Sequence, residues 1–255
     1  MLNQRKVKVY FIGAGPGDPE LITLKAIKKI EKANVIIYAG SLVNKEIINY
    51  CKNKNVEIFN SASMTLEETH NIIKNAVSEN KLVVRLHTGD PSIYGAIFEQ
   101  MVLLDNDNIE YEVIPGVSSA FAANASIKWE FTIPEVSQTV VFTRISGKTP
   151  VPEKEKLSNL AKIGCTIVIF LSVSHIENVQ KELLNGFDNK TPVVIAKRVS
   201  WPDEEIFFTS IKDMVNVVKE NNIKKTALIL VGKVFDNSLK TLQYLKRSHL
   251  YSKND

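Results

Sequence analysis

The chain alternates short apolar, β-branched runs with stretches whose apolar positions repeat at the helical period. In the first half this pattern predicts strands over Val7–Ile12, Val35–Tyr38, Val56–Phe59, Leu82–His87 and Glu110–Ile114. The helical stretches between them cover Leu24–Lys32, Asn44–Tyr50, Leu66–Glu79 and Ala96–Leu104. Because nearly continuous apolar strands alternate with helices, we expect a parallel sheet that is covered on both faces.

The second half repeats the alternation but contains two strands in direct succession. It predicts strands over Thr139–Arg144, Cys165–Leu171, Val193–Val199, Glu205–Thr209 and Thr226–Val231, and helices over Glu153–Ile163, Ile176–Leu184 and Ile211–Glu220. The adjacent strands around SWPDEEIFFTS predict a hairpin and therefore a mixed sheet. The fold class is thus α/β, with two α/β domains that each have a largely parallel or mixed sheet flanked by helices.

A small-residue helix and the proline-broken segment EFTIPEV separate the two halves. The sequence therefore predicts an N-terminal α/β domain with glycine-rich loops over residues 1–124 and a C-terminal α/β domain over 125–236. Residues 237–255 are polar and basic, and we expect this tail to fray.

Composition and charge disfavour several classes of protein. The 255 residues are 44% hydrophobic and 24% charged, as in ordinary globular proteins, and the net charge of +4 lacks the basic footprint of a nucleic-acid binder. No apolar run approaches the roughly 20 residues that span a bilayer. The start does not resemble a signal peptide, and Cys51 and Cys165 are isolated, which is typical of thiols in a reducing cytoplasm. We expect a cytoplasmic protein with neither a nucleic-acid nor a membrane partner, and no metal site.

The glycine-rich sequence GAGPGDP after the first strand only partly matches a dinucleotide fingerprint. The third glycine of that fingerprint would stand at position 18, where the chain has Asp18, and a carboxylate there would repel a pyrophosphate. The sequence VIIYAGS after the second strand also lacks the acid that binds a ribose hydroxyl. The sequence SGKTP fails as a P-loop because Phe142 occupies the first glycine position. A nicotinamide cofactor is therefore disfavoured.

Two further loops follow predicted strands, RLHTGDPSIYGAIFEQ (residues 85–100) and VIPGVSSAFAA (residues 113–123). Open α/β sheets bind ligands at the carboxyl ends of their strands, so three such loops together predict a ligand site, although each alone could be a helix cap. His87 is either a ligand contact or a hydrogen-bonded core histidine. No catalytic triad or carboxylate pair emerges, which favours chemistry that works by positioning reactants.

In order, the blocks VYFIGAGPGDPELITLKA, YAGSLV, SASMTLEE, RLHTGDPSIYGAIFEQ and PGVSS resemble the tetrapyrrole (corrin/porphyrin) methyltransferase family. The blocks TIVIFLSVSHI, TPVVIAKRVSWPDEEI and TALILVGKV continue the resemblance, which covers Val7 to Val234. Within the family, YAGSLV, SASMTLEE and HTGDPSIYGA most resemble the branch that methylates C11 of precorrin-4 or cobalt-precorrin-4 in cobalamin synthesis.

The resemblance implies a homodimer that binds S-adenosylmethionine in a cleft between its two domains, with an anionic tetrapyrrole lying along that cleft. In this sequence the implied cofactor contacts are Thr88, Gly89, Asp90, Ile93, Ser118, Ser119, Leu171, Val199, Ala227 and Leu228.

The substrate would meet the GAGPGDP loop and several cations. The implied substrate residues are Gly15, Pro16, Gly17, Asp18, Arg85, Arg144 and Arg198, and Lys25, Lys28 and Lys197 are further candidates for ring carboxylates. Solvated surface charge is the simpler interpretation for Lys25 and Lys28. Asp18 and His87 are the candidates for proton handling or substrate orientation.

Other interpretations remain open at the level of sequence. Enzymes of the same fold include uroporphyrinogen-III C-methyltransferase, diphthine synthase and ribosomal RNA 2′-O-methyltransferase, of which the modest net charge disfavours the RNA enzyme. A non-catalytic tetrapyrrole-binding module is an alternative of a different class. The sequence leaves open whether the ring already holds cobalt.

Overall fold

A computed structural model describes residues 8–147 and 149–244 of the chain. The chain divides into two compact units, of which the first ends at Ala122 and the second begins at Ala123. Each unit contains one β-sheet with helices packed against it. The predicted α/β fold class is therefore confirmed.

The first unit is built on a wholly parallel sheet. Its strands are β1 (Val9–Gly13), β2 (Val35–Tyr38), β3 (Glu57–Asn60), β4 (Val83–His87) and β5 (Tyr111–Ile114). Their order across the sheet is β3-β2-β4-β1-β5, and each neighbouring pair is parallel. The helices are α1 (Leu24–Ile30), α2 (Leu66–Ser78), α3 (Phe98–Asn106) and α4 (Ser119–Ser126), the last of which crosses the boundary between the units. Every residue of β1, β2 and β4 is buried, as expected for strands covered on both faces.

Two helix predictions in the first unit need correction. Residues Lys45–Tyr50 form a 3₁₀ helix, not an α-helix, with a bond from the Ile47 N–H to the Asn44 carbonyl three residues back. Helix α3 begins at Phe98, two residues later than predicted, because Ala96 adopts a left-handed φ of 49° that no α-helix contains.

The second unit has a mixed sheet. Its strands are β6 (Val140–Thr143), β7 (Thr166–Ile169), β8 (Pro192–Lys197), β9 (Glu205–Ser210) and β10 (Ala227–Val231), in the order β6-β7-β10-β8-β9. The pair β6–β7 is parallel and the other three pairs are antiparallel, so the predicted hairpin of β8 and β9 is confirmed. The helices are α5 (Leu157–Ala161), α6 (Ile176–Leu183) and α7 (Met214–Glu220).

The predicted helix over residues 153–163 is shorter in the structure. A 3₁₀ turn over Glu153–Glu155 precedes α5, because Lys156 between them has an extended ψ of 141°. After β10, short 3₁₀ turns cover Asn237–Lys240 and Leu242–Tyr244.

The start of the C-terminal tail is held against the second unit. The Lys240 ammonium donates to the Ile127 carbonyl at 3.2 Å and lies 3.9 Å from the centre of the Trp129 ring. The rest of the predicted tail, residues 245–255, lies outside the described residues.

Apolar clusters fix the strands of both sheets. In the first unit one cluster includes Ile12 and Leu86 on one face of the sheet, and another includes Phe11 and Val83 on the opposite face. In the second unit Ile167, Ile195 and Ile229 belong to a cluster that also contains apolar residues of α5, α6 and α7. Burying each such side chain stabilises the fold by about 1.5–3 kcal/mol, so the loops at the strand ends rest on a rigid frame. Among the described residues, no helix combines the length and hydrophobicity needed to cross a membrane.

Candidate functional site

Three glycines from three separate loops touch at the carboxyl edge of the first sheet. Gly13 ends β1, Gly89 follows β4 and Gly116 follows β5. A methyl group added to Gly116 would lie 2.3 Å from the Gly89 carbonyl oxygen, and one added to Gly13 would lie 2.5 Å from the Gly116 nitrogen. Such distances are far inside van der Waals contact, so only glycine permits this arrangement. We call it the glycine contact, and it joins the three predicted ligand loops into one surface.

Hydrogen bonds extend the glycine contact along the GAGPGDP loop. The Gly15 N–H donates to the Gly89 carbonyl at 3.3 Å, and the Gly89 N–H donates to the Gly15 carbonyl at 2.8 Å. Both glycines have left-handed φ angles, 75° and 63°. The loop that sequence analysis assigns to the substrate is therefore bonded directly to the loop that it assigns to the cofactor.

Asp18 and Gly17 are held within their own loop. One oxygen of the Asp18 carboxylate accepts the Glu20 N–H at 2.8 Å and so caps the 3₁₀ turn Pro19–Leu21, while the Asn44 amide donates to the Gly17 carbonyl at 2.9 Å. This local role accounts for an acid at the position where a dinucleotide fingerprint has glycine. The predicted substrate contact and proton handling of Asp18 stay predictions.

The Asp90 carboxylate joins the loop after β4 to the loop after β5. Its Oδ1 accepts the Ser92 N–H at 2.8 Å, and its Oδ2 accepts the Gly116 N–H at 2.9 Å. Nearby, the Thr88 hydroxyl donates to the Leu42 carbonyl at 2.7 Å. The structure therefore brings together Thr88, Gly89, Asp90 and the loop that leads to Ser118, as sequence analysis requires of a common site.

Ser118 and Ser119 open helix α4. The Ser118 hydroxyl accepts the Ala120 N–H at 3.3 Å, and the Ser118 carbonyl accepts the N–H groups of Phe121 and Ala122. The first N–H groups of a helix have no acceptor within the helix, so this end can bind an anionic group. Ile93 lies in the preceding loop, where its N–H donates to the Asp90 carbonyl at 3.3 Å.

Arg85 and His87 are buried in β4, with 7% and 4% of their surfaces exposed. The Arg85 guanidinium donates to the Gln100 side-chain oxygen at 3.3 Å and to the Ile37 carbonyl at 3.4 Å. Burial lowers the pKa of Arg85 to about 10, and the group remains charged at neutral pH. Within the described part of the chain, neither a hydrogen bond nor an ion pair joins Arg85 to a carboxylate.

His87 is a neutral ring at physiological pH. Burial and, to a smaller extent, the charge of Arg85 lower its pKa to about 3, and a hydrogen bond with the Gly95 backbone opposes the shift. Its ring centre lies 5.9 Å from that of Phe11, and its Nε2 atom has no hydrogen-bond partner among the described residues. These positions are those of core side chains. The predicted substrate contact of Arg85 and the predicted proton handling of His87 stay predictions.

The second sheet brings its predicted cofactor residues to one edge by strand register. Ile169 pairs with Ile229 and Lys197 pairs with Ala227, so the residues after β7, after β8 and before β10 are neighbours. The residues that lie here are Leu171, Arg198, Val199, Thr226, Ala227 and Leu228.

This edge contains three non-glycine residues in the left-handed region. Leu171 has a φ of 53°, Arg198 of 48° and Thr226 of 55°, and the Leu171 side chain is 70% exposed. Each such conformation costs on the order of 1–3 kcal/mol and persists only where the surrounding structure fixes it, which is typical of functional sites. We call these three residues the strained edge. Val199, Ala227 and Leu228 are buried beside it.

Several candidate cations for the substrate are already engaged. Lys25 pairs with Glu112, and Lys197 pairs with Glu205. Arg144 donates to three carbonyls of its own loop, those of Ile145, Thr149 and Pro150. The structure therefore gives Arg144 a local role, and its predicted substrate contact stays a prediction. Lys28 is exposed on α1.

Arg198 is placed differently from the other candidates. Its Nε donates to the Asp203 carboxylate at 2.7 Å, and its guanidinium lies 4.4 Å from the centre of the Trp201 ring. The hydrogen bond to Arg198 lowers the pKa of Asp203. Sequence reasoning named Arg198 but missed Trp201 and Asp203, although SWPDEE places an aromatic residue and an acid within five residues of it.

Among the described residues, no cluster of three or more histidine, cysteine, aspartate or glutamate side chains could hold a metal ion. A cavity of about 630 Å³ lies between the start of α6 and the end of α7, lined by residues 173–178, 218–219 and 222–224. None of the predicted cofactor or substrate residues lines it.

Comparisons with known proteins show the family of this chain. The sequence profile of the Tetrapyrrole (Corrin/Porphyrin) Methylases matches residues 8–215. A cobalt-precorrin-4 C(11)-methyltransferase from Methanocaldococcus jannaschii is 56% identical over 255 residues, which cover 100% of this chain and 95% of that protein.

Solved structures of similar proteins have the same fold. The X-ray structure of a cobalamin biosynthetic enzyme, cobalt precorrin-4 methyltransferase, superposes with a TM-score of 0.87 at 47% identity, covering 89% of this chain and 95% of that one. Uroporphyrin-III C-methyltransferase from Thermus thermophilus, complexed with S-adenosyl homocysteine, superposes with a TM-score of 0.75 at 27% identity, covering 90% and 93%.

Proposed function

Because the chain belongs to the tetrapyrrole (corrin/porphyrin) methylase family, we propose that it transfers a methyl group from S-adenosylmethionine to C11 of cobalt-precorrin-4. The observation that carries this proposal is the 56% identity, over the whole chain, with a protein of that activity. The similar cobalt precorrin-4 methyltransferase structure supports a role in cobalamin biosynthesis. Precorrin-4 without cobalt is the alternative form of the same substrate.

The residues at the first sheet's edge fit S-adenosylmethionine. This cofactor carries a carboxylate, an amine and a sulfonium but no phosphate, so the carboxylate at Asp18 is no obstacle to it. The positive end of the α4 dipole suits the cofactor's carboxylate, and Gly89, whose added methyl would lie 3.6 Å from the Ser118 Cα, leaves the approach to this end open. When bound, the cofactor supplies an electrophilic methyl group.

We assign the cofactor contacts as the sequence implies them. In the first unit they are Thr88, Gly89, Asp90, Ile93, Ser118 and Ser119, and in the second unit Leu171, Val199, Ala227 and Leu228. Gly15, Pro16, Gly17 and Asp18 are assigned to the substrate. Asp90 has a second role, because its carboxylate fixes the distance between two of the cofactor loops.

For methyl transfer to carbon, the main contribution of the protein is to align the cofactor and the substrate. The reacting atoms need an in-line approach at about 3–3.5 Å and exclusion of water, and no nucleophilic side chain is required. The glycine contact and the Asp90 hydrogen bonds hold the loops still, which is the contribution that such a reaction needs. The neutral, buried His87 adds no competing charge to this edge.

We further propose that the chain acts in the cytoplasm as a homodimer, with a small anionic tetrapyrrole as its partner and no nucleic acid. The family resemblance supports the dimer, and the modest net charge of +4 supports a small anionic substrate over RNA. Light scattering coupled to size exclusion measures the assembly, and a mass of one chain, near 28.6 kDa, would overturn the dimer.

The reaction is tested with labelled cofactor. The protein is incubated with precorrin-4 or cobalt-precorrin-4 and ¹³C-methyl S-adenosylmethionine, and NMR identifies the methylated carbon. We expect one labelled methyl group at C11. A label at another ring carbon would favour the uroporphyrinogen-III type of enzyme, and binding of the ring without transfer would favour a non-catalytic module.

The cofactor site is tested by calorimetry with S-adenosylhomocysteine. Asp90→Ala removes the acceptor of the Gly116 N–H and leaves that donor unpaired, which costs about 1–3 kcal/mol. We therefore expect a loss of affinity of about tenfold or more. Gly147→Ala is the control, because an added methyl group there meets nothing within 4 Å. Wild-type affinity of Asp90→Ala would refute the site.

A further inference from the structure

We propose that Arg198 binds a carboxylate side chain of the ring substrate and that Trp201 and Asp203 hold its guanidinium ready for this contact. The inference rests on the proposed function, since a tetrapyrrole precursor carries several carboxylates around its rim. Residues 198–204, called here the arginine loop, contain all three side chains.

The guanidinium of Arg198 has an edge available for a second carboxylate. Of its five N–H donors, Asp203 occupies the one on Nε at 2.7 Å, and in the described part of the chain the terminal nitrogens have no hydrogen bond. These two nitrogens form the parallel pair that binds a carboxylate through two bonds. The side chain is 30% exposed, so a ligand can reach it. By contrast, one terminal nitrogen of Arg85 and both terminal nitrogens of Arg144 donate to main-chain carbonyls.

Trp201 fixes the plane of the guanidinium. The two groups stack with 4.4 Å between the guanidinium carbon and the ring centre. Arginine favours such stacking on aromatic faces, and the contact leaves the in-plane N–H groups available. The stacking therefore orients the donors without consuming them.

The backbone of the arginine loop is itself restrained. The Trp201 N–H donates to the Arg198 carbonyl at 3.0 Å, and the Glu204 N–H donates to the Trp201 carbonyl at 3.0 Å. The Glu204 carboxylate accepts the Ser200 N–H at 2.6 Å and the Ser126 hydroxyl, at the end of α4, at 3.1 Å. A loop that is already ordered loses little conformational entropy when a ligand binds.

Arg198 stands beside the proposed cofactor residues of the same unit. Its N–H donates to the Thr226 carbonyl at 2.9 Å, and Thr226 directly precedes Ala227. Arg198 and Ser200 both have left-handed φ angles, 48° and 63°, in the connection between β8 and β9. A ring carboxylate bound to Arg198 would therefore lie at the strained edge, near Ala227.

The ion pair between Arg198 and Asp203 orients the guanidinium more than it stabilises the fold. Asp203 is 63% exposed, and ion pairs with such exposure contribute little to the free energy of folding. Its carboxylate holds the Nε side of the guanidinium and directs the opposite edge outward. Asp203 is therefore a positioning residue, like Trp201.

Steady-state kinetics with cobalt-precorrin-4 test the contact. For Arg198→Ala we expect KM for the ring to rise about tenfold or more, from the loss of a charged hydrogen-bonding group, with kcat and the Kd of S-adenosylhomocysteine within about twofold of wild type. The KM of Arg198→Lys should lie between those of wild type and Arg198→Ala, because an ammonium keeps the charge but lacks the paired N–H donors of a guanidinium. The control is Lys219→Ala, which removes a paired cation from the same unit, on α7.

The positioning residues are tested by rescue. Trp201→Ala should raise KM about two- to fivefold, as the loss of an exposed cation–π contact predicts. Trp201→Phe should bring KM most of the way back to the wild-type value. Asp203→Asn keeps an acceptor for Nε and should leave KM near wild type, whereas Asp203→Ala should raise it. Unchanged KM in Arg198→Ala, or a parallel rise in the Kd of S-adenosylhomocysteine, would overturn the proposal.

A binding experiment tests the Arg198 contact independently of the proposed methyl transfer. Fluorescence titration with uroporphyrin III, a stable ring with eight carboxylates, needs no turnover. Weaker binding by Arg198→Ala than by Lys219→Ala supports the contact even if the wild-type protein fails to methylate cobalt-precorrin-4. Equal binding by both variants overturns it even if wild-type methylation is normal.

Discussion

The two sheets build their candidate functional edges by opposite means. At the first edge Gly13 and Gly116 lack side chains, and the backbones around Gly89 come within 2.3–2.6 Å of where their methyl groups would be. At the second edge Leu171, Arg198 and Thr226 keep their side chains and accept left-handed backbone angles. The first edge is thus defined by main-chain atoms and the second by the directions of side chains.

The polar groups buried beneath the two edges also differ. The first sheet buries the ionisable side chains of Arg85 and His87, while the second buries hydroxyls such as those of Thr166 and Ser172. The Ser172 hydroxyl has both a donor and an acceptor partner: it donates to the Phe170 carbonyl at 2.6 Å and accepts the Ile145 N–H at 3.0 Å. Substitution and pH should therefore affect the first edge through packing and charge, and the second through ligand contacts.

The largest effect is expected from Gly116→Ala. The added methyl group would overlap the Gly89 carbonyl, and backbone on both sides prevents relief, so unfolding should become easier by about 3 kcal/mol. This corresponds to a fall of roughly 6–12 °C in Tm, measured by calorimetry. S-adenosylhomocysteine binding should be lost at the same time. An unchanged Tm would show that the three loops do not depend on the glycine contact.

The second effect is a pH dependence that arises from His87. Its folded pKa of about 3 lies below the unfolded value of 6.5, so the unfolded state takes up the proton first and stability falls as pH decreases below 6.5. At pH 5 the penalty is about 2 kcal/mol relative to pH 7. Urea unfolding at both pH values measures it. His87→Gln should remove this part of the difference, whereas a variant of the exposed His175 should retain it; equal differences in both would refute the assignment.

The smallest effect on stability is expected from Leu171→Asn. Asparagine tolerates the left-handed region better than leucine, and the exposed side chain loses little buried area, so stability should change by less than about 1 kcal/mol. The affinity for S-adenosylhomocysteine should nevertheless fall about threefold to tenfold, through loss of apolar contact. Leu242→Asn makes the same change at another exposed leucine and should alter neither quantity. A fall in stability without a fall in affinity would contradict the comparison of the two edges.

Hydrophobic periodicity was sufficient to predict the layers of both units. Alternating apolar strands and helices gave the parallel sheet, and SWPDEEIFFTS gave the hairpin of β8 and β9. The same periodicity could not separate a 3₁₀ from an α-helix at Lys45–Tyr50, because residues three and four apart share a face in both.

The candidate site was predictable only in part. Glycine and aspartate marked the loops after β1, β4 and β5, but spacing alone does not reveal that Gly13 and Gly116 touch. Left-handed angles at Leu171 and Thr226 carry no sequence signal, because glycine and asparagine are the residues that indicate them. The sequence did contain a sign that Arg85 is buried. This residue stands inside the apolar run LVVRL, which predicts a strand that is covered on both faces.

The glycine contact also sets the moment at which this edge can form during synthesis. Gly13 and Gly116 are 116 − 13 = 103 residues apart in the chain. At about 5–20 residues per second, the ribosome adds the second about 5–20 s after the first. Until then the GAGPGDP loop lacks one of the backbones that it packs against. A nascent chain arrested before Gly116 should therefore hold β1 without a finished ligand edge.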